Sequence, residues 1–186
     1  MPSVTKRKKM RQRRAARCSR TVASSTFSNT FSEDALTQEV YLSGQIIDLQ
    51  ARMNVSNLLQ ANQIDLKSLQ AFDRLFEALS LPTEQLNTLA QGLVAAQQQK
   101  DGAPLMPQRV SQLTWLGLTP QTLNSLAPYI TVLPTRTPVN LNTAPPEVMA
   151  ATLEGLRLAD ANQLAAARGI RAFLTVADFR ARLPAA

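Results

Sequence analysis

The first regular pattern along the chain is an alternation. Ile47, Leu49, Ala51, Met53 and Val55 interleave with Asp48, Gln50, Arg52 and Asn54, the two-residue period of a strand with one buried face. Val40, Leu42 and Ile46 precede it, and Ser43–Gly44 between the apolar stretches suits the tight turn of a hairpin. The pattern therefore predicts a β-hairpin within residues 33–56. A lone hairpin is marginal in water, so it must pack on something else.

After Ser56 the period lengthens. Leu66, Leu69, Phe72, Phe76 and Leu79 recur at helical spacing, which predicts an amphipathic helix with Leu66, Leu69, Phe72 and Phe76 lining a core. Leu81–Pro82 ends it, and Thr83-Glu84 opens a second helix with the stripe Leu86, Leu89, Leu93. Gln97–Pro107, with Gly102, Pro104 and Pro107, reads as a loop. Val110–Trp115 reads as a short helix, and Thr119-Pro120 as a cap followed by proline at the first helical position. Tyr129–Leu133 is a short extended run.

Further on, a helix is expected near Pro145–Leu153 with Thr143 as its N-cap. Gly155 interrupts the chain, Asp160–Ile170 forms the next helix, and Thr175-Val176-Ala177-Asp178 is a capping box that opens a terminal helix toward Leu183. The fold class is mainly α with a small β part. Segments 57–133 and 134–186 read as two small helical bundles, the second helix-hairpin-helix-like, after the hairpin of 33–56.

Residues 1–32 show no apolar periodicity. Ser19–Ser32 is rich in Ser and Thr, with only scattered Val22, Phe27 and Phe31, and such a segment cannot bury enough apolar area to offset its ordering entropy. It reads as a disordered basic tail. Its positive start is followed by no apolar h-region, so export by this segment is not supported.

Composition narrows the chemistry. Residues 1–20 hold nine basic residues and no acid, leaving 11 basic against 13 acidic residues over 21–186. The net charge of +7 thus belongs to the tail, while the body is nearly neutral. The chain has no His, which removes the commonest general base and zinc ligand. Its single cysteine, Cys18, lies in the tail, can form no internal disulfide and reads as an incidental free thiol. The apolar runs are far shorter than the about 20 residues that span a bilayer.

Two stretches carry a family resemblance. Gly44-Gln45-Ile46-Ile47-Asp48-Leu49-Gln50-Ala51-Arg52-Met53-Asn54-Val55 resembles the G-x-I-x-D-x-q-x-R-F-N-L strand of type II secretion system protein K, with Met53 in place of the usual Phe. Leu133-Pro134, then Thr137-Pro138-Val139-Asn140-Leu141-Asn142-Thr143-Ala144, resembles that family's L-P-x-x-T-P-I-N-V-N-T-A segment. Phe173 and Asp178-Phe179 fit its closing F-x-s-v-x-D-F pattern. The resemblance runs from about Tyr41 to Leu183. The N-V-N-T-A element alone is shared with helix-hairpin-helix DNA-binding proteins; both elements in order are much more specific.

The resemblance implies a minor pseudopilin, non-enzymatic and without a small-molecule substrate. Such a protein would sit at the pseudopilus tip on the periplasmic side of the inner membrane. It would form a complex with minor pseudopilins I and J, help start pseudopilus assembly and so promote protein export across the outer membrane. The implied fold is a pilin-like α/β domain carrying two SAM-like helical bundles. Family members often carry calcium in an acidic inter-bundle loop. Gln97–Pro107 offers only Asp101, whereas calcium takes 6–8 oxygen ligands, so no bound calcium and no cofactor are expected. The family's apolar N-terminal helix is not recognisable here, and the pattern breaks off after the D-F helix. The sequence is accordingly expected to be a truncated or misassigned reading of a longer gene, and soluble in this form.

The alternative is a helix-hairpin-helix nucleic-acid-binding protein using the basic tail. In that motif the turn reads roughly L-P-G-I-G-x-x-x-A, and backbone N–H groups hold a phosphate at a helix N-terminus. Leu153-Glu154-Gly155-Leu156-Arg157-Leu158-Ala159-Asp160-Ala161 keeps the first Gly and the Ala, but Arg157 replaces the second Gly. Glu154 and Asp160 add negative charge where a phosphate would sit, so nucleic acid is the less favoured partner. Carboxylates occur in no catalytic pairing, and no catalytic, cofactor-binding or metal-binding residue is assigned. Asp48 reads as a turn-adjacent or solvent-facing carboxylate, Asn140 and Asn142 as local backbone caps, and Trp115 and Tyr129 as core or interface aromatics.

Overall fold

A computed structural model of the chain describes residues 46–99 and 102–183. The chain divides into two units, Met1–Ile46 and Ile47–Ala186. The tail of 1–32 and the hairpin's first arm lie outside the described residues, and every described helix and strand belongs to the second unit.

The alternating stretch does not form a long strand. Leu49–Ala51 and Val55–Leu58 are short 3-10 turns, and only Met53–Asn54 between them, β1, is paired as a strand. Asp48 and Asn54 explain the change. Each caps the turn that comes after it, accepting a hydrogen bond from the N–H of Gln50 and Ser56 respectively. Asp and Asn side chains offer the backbone this alternative to a ladder. β1 pairs in parallel with Ile130–Thr131 (β4), Met53 opposite Ile130.

An antiparallel hairpin does form, at a place the pattern does not mark. Leu59–Gln60 (β2) pairs with Gln63–Ile64 (β3) across Ala61–Asn62, whose φ values are 49° and 64°. Two successive positive-φ residues make the type I′ turn that matches strand twist.

The helices agree closely with the sequence pattern. α1 (Leu66–Ala78) and α2 (Thr83–Gln97) bury Phe72, Leu75 and Phe76 on one and Leu86, Leu89 and Leu93 on the other. Leu66 differs from expectation: at the first turn of α1 it is 69% exposed, and Ala71 and Leu75 take its place on the buried face. Val110–Leu116 is a 3-10 helix ending at Gly117, and α3 (Pro120–Leu126) starts from Thr119, whose hydroxyl accepts from the Thr122 N–H. Then come α4 (Pro146–Thr152), α5 (Leu158–Ile170) and α6 (Val176–Ala181).

Two caps depart from the sequence reading. The N-cap of α4 is Pro145, without a side-chain bond, rather than Thr143. Pro146 in the first turn has no N–H to satisfy, which leaves the Thr143 hydroxyl to bond elsewhere. At α6, Thr175 accepts from the Asp178 N–H as a capping box requires, but Asp178 accepts from Leu174 instead of Thr175.

The helical segments 57–133 and 134–186 share one core. α1 packs on both α2 and α4, and α4 on α5. Buried residues from Met53 and Val55 through Phe72, Leu93, Leu113 and Ile130 to Val148, Leu164 and Phe179 form one continuous cluster. Small bundles bury a smaller fraction of their surface than a larger domain does and are correspondingly marginal, so fusing their apolar faces adds stability.

Candidate functional site

The two sequence elements that carry the family pattern lie side by side, and polar side chains stitch them together. Asn54 is 1% exposed. Its amide donates to the Thr135 carbonyl at 2.8 Å, and its carbonyl oxygen accepts from the N–H of Leu133 at 3.0 Å and of Ser56 at 3.1 Å. The Ser56 hydroxyl donates to the Leu133 carbonyl at 2.7 Å. Asn57 brackets Thr137, donating to its carbonyl at 2.9 Å and accepting from its N–H at 3.0 Å.

Asp48 closes the upper end of this seam. It accepts from the Thr143 hydroxyl at 2.6 Å, the Asn140 amide at 2.9 Å and the Gln50 N–H at 2.9 Å. The Asn140 N–H meanwhile donates to the Gln50 carbonyl at 2.8 Å. The seam answers a backbone problem: β1 and β4 are each only two residues long, so neighbouring N–H and C=O groups need other partners, and leaving a buried one unpaired costs about 1–3 kcal/mol. Short amide side chains at fixed positions supply them.

A second clasp holds the C-terminal helices to the same segment. Asn142 donates to the Phe173 carbonyl at 2.9 Å and accepts from its N–H at 2.8 Å. Phe173 meets Phe179 edge to face at 5.1 Å, with the Arg182 guanidinium 5.1 Å from the Phe173 ring centre. Arg182 is held in turn by both Asp178 oxygens and the Arg171 carbonyl. Arg168 donates to the Leu141 carbonyl at 2.6 Å, and Arg74 on α1 donates to the Ala151 carbonyl at the end of α4. Arg136 bridges the Leu59 carbonyl and the Asp65 carboxylate.

These carboxylates are poor bases. Burial pulls the Asp48 carboxyl upward, but hydrogen bonds from Thr143, the Gln50 N–H and Asn140 outweigh it and hold its pKa below the ordinary value. Ser68 and Arg136 lower Asp65, and the Leu174 N–H and Arg182 lower Asp178. A carboxylate saturated with donors is stabilised as the anion and orients its neighbours. Among the described residues no three His, Cys, Asp or Glu side chains gather as a metal site; Asp101 lies outside them. The arrangement is a structural fastening between chain segments.

The hairpin turn before α5 is already occupied by protein charge. Gly155 takes φ +77°, and Asp160 in the first turn of α5 is paired with Arg157 at 2.9 Å. A phosphate approaching the helix N-terminus would meet that carboxylate.

Asp48, Asn140 and Asn142 therefore do more than local capping or facing solvent. Asn140 does accept from the Asn142 N–H, but its amide, like the side chains of Asp48 and Asn142, reaches across the chain. The signal available in the sequence was the recurrence of Asn and Asp at the fixed positions of both family elements. Tyr129 packs at the core margin, and its carbonyl accepts from the Met53 N–H. Trp115 is 54% exposed, beside Leu105 and Gln112 in an open cleft of about 710 Å³. Cys18 lies outside the described residues.

Two family models match this chain, both described as type II secretion system (T2SS), protein K. One matches residues 51–135 and the other residues 139–186. No curated protein matches the sequence.

Proposed function

The chain belongs to the type II secretion system protein K family of minor pseudopilins, and from that membership we propose that it works at the tip of the pseudopilus. In this reading it joins minor pseudopilins I and J, helps start pseudopilus assembly and supports export of folded proteins across the outer membrane. Its role is structural and non-enzymatic, with no small-molecule substrate and no resident cofactor. The observation that carries the reading is the coupling of the two resembling stretches, Ile47–Val55 and Leu133–Ala144, in one hydrogen-bonded seam that overlaps the matched residues 51–135 and 139–186. A scaffold that presents docking surfaces needs such fixed geometry more than it needs reactive groups.

Proteins of this family are membrane-associated on the periplasmic side, and we place this one at the inner membrane. No helix of the described residues is long and apolar enough to cross a membrane. Deleting the gene from its source cells tests the role. Substrates of the secretion system are expected to accumulate in the periplasm while transfer across the inner membrane continues. Unchanged export to the medium would overturn the proposal.

A further inference from the structure

The surface between α5 and α6 has an unusual composition. Ile170 is 92% exposed, Leu174 74% and Val176 69%, within seven consecutive residues. These side chains project from a turn fixed underneath by the buried rings of Phe173 and Phe179 and by the Asn142 clasp on the Phe173 backbone. The exposed apolar atoms thus sit on a firmly held base. Contiguous exposed apolar surface marks interaction sites, and here three exposed aliphatic side chains come from seven consecutive residues.

The charge around them is predominantly positive. Residues 168–183 hold Arg168, Arg171, Arg180 and Arg182 against one carboxylate, Asp178, whereas residues 47–167 hold seven basic and nine acidic residues. Arg168 and Arg182 are turned to internal partners. Arg171 and Arg180 remain exposed at the rim, Arg171 only 4.0 Å from Asp178. Val176 and Arg180 are four residues apart on α6 and so lie on one helix face. Every cation of this region is arginine, and none is lysine. Arginine presents a planar fork that matches carboxylates and is enriched at protein interfaces, where lysine is depleted.

We propose that Ile170, Leu174 and Val176, rimmed by Arg171 and Arg180, form a docking patch for an acidic partner subunit whose own contact surface is apolar at its centre and carboxylate at its edge. The inference rests on the pseudopilin reading and deepens it: the partner is a fellow subunit of the pseudopilus. Three aliphatic side chains fall short of the roughly 800 Å² per partner of a stable interface. The patch is therefore the anchor of a wider contact, and its removal should show mainly in the dissociation rate.

The test uses the full chain and the periplasmic domains of minor pseudopilins I and J, measured by biolayer interferometry over a salt series. Ile170→Ser/Leu174→Ser and Arg171→Glu/Arg180→Glu are each expected to weaken binding at least tenfold. Arg109→Glu, an exposed arginine in another part of the surface, should change it less than twofold. All affected side chains are exposed, and unchanged thermal unfolding confirms that the variants fold. Wild-type affinity in both patch variants would overturn the docking site while leaving the pseudopilin role intact. Absence of wild-type binding to either subunit would overturn the pseudopilin reading and the docking site with it. Patch-dependent binding to anionic phospholipid vesicles, or patch-dependent self-association in analytical ultracentrifugation, without binding to the subunits, would replace the partner subunit with a membrane or a second copy.

Discussion

The Thr143 hydroxyl donates to the Asp48 carboxylate at 2.6 Å across a sequence separation of 95 residues. With the Asn140 amide on the same carboxylate oxygen, this contact fastens the start of the compact unit to the segment leading into α4. The hydroxyl is free for that purpose because prolines at 145 and 146 open the helix without its help. A residue that reads as a helix cap is instead half of a long-range clasp.

The clasp makes stability depend on acid. The folded-state pKa of Asp48 is depressed, and its unfolded value is about 3.9. A depressed carboxylate contributes stability that is present above the unfolded pKa and lost as pH falls through the folded pKa. Asp65 is shifted the same way. Urea midpoints should therefore be flat above about pH 5 and fall toward pH 2. Asp48→Asn should be less stable than the wild type at pH 7 and show a shallower acid decline. Parallel profiles for the two proteins would mean that the carboxylate is not held as described.

Asn54→Ala removes three hydrogen bonds from a side chain that is 1% exposed. The N–H groups of Leu133 and Ser56 lose their partner, and the Thr135 carbonyl keeps the Thr137 hydroxyl as a donor. A loss of about 2–4 kcal/mol is expected in chemical denaturation, since each abandoned buried group costs about 1–3 kcal/mol. A change below about 0.5 kcal/mol, the size usual for surface substitutions, would contradict the seam.

Core packing in α1 separates two residues of one stripe. Phe72 is 2% exposed and Leu66 is 69% exposed. Phe72→Ala should cost about 3–5 kcal/mol, and Leu66→Ala no more than about 0.5 kcal/mol. Equal effects would mean that α1 is rotated relative to its neighbours.

Gly117 and Gly169 should respond oppositely to alanine. Gly117 has φ +96°, and an added Cβ would lie 2.5 Å from Thr88 Cγ2. The substitution should cost at least about 1–2 kcal/mol from the left-handed backbone alone, with the clash adding to it. Gly169 lies within α5 with open space around it, so alanine there should stabilise by about 0.5–1 kcal/mol. Thermal unfolding of the two variants measures both signs.

The helices were legible because their apolar spacing and caps agree. The stripes of α1 and α2, the Thr119-Pro120 start and the Thr175 cap all state one answer locally. The strand over 47–55 was misleading because Asp48 and Asn54 satisfy the alternation as polar positions while their side chains bond the backbone two residues on. The type I′ turn at Ala61–Asn62 lacks the glycine that usually announces one. The partners of Asp48, Asn54 and Asn142 lie 92, 79 and 31 residues away at Asn140, Leu133 and Phe173. No local pattern encodes such distances; only the likeness of both segments to one family hinted that they belong together.

The most direct measurement of the central claim is a titration of the full chain against the paired periplasmic domains of minor pseudopilins I and J, with duplex DNA run in parallel over a salt series. Binding to the pseudopilin pair at micromolar affinity or tighter is expected, with DNA binding no stronger than the basic tail alone gives as a separate peptide. No binding to the pair, with DNA binding that exceeds the tail peptide's and falls steeply with salt, would contradict that claim.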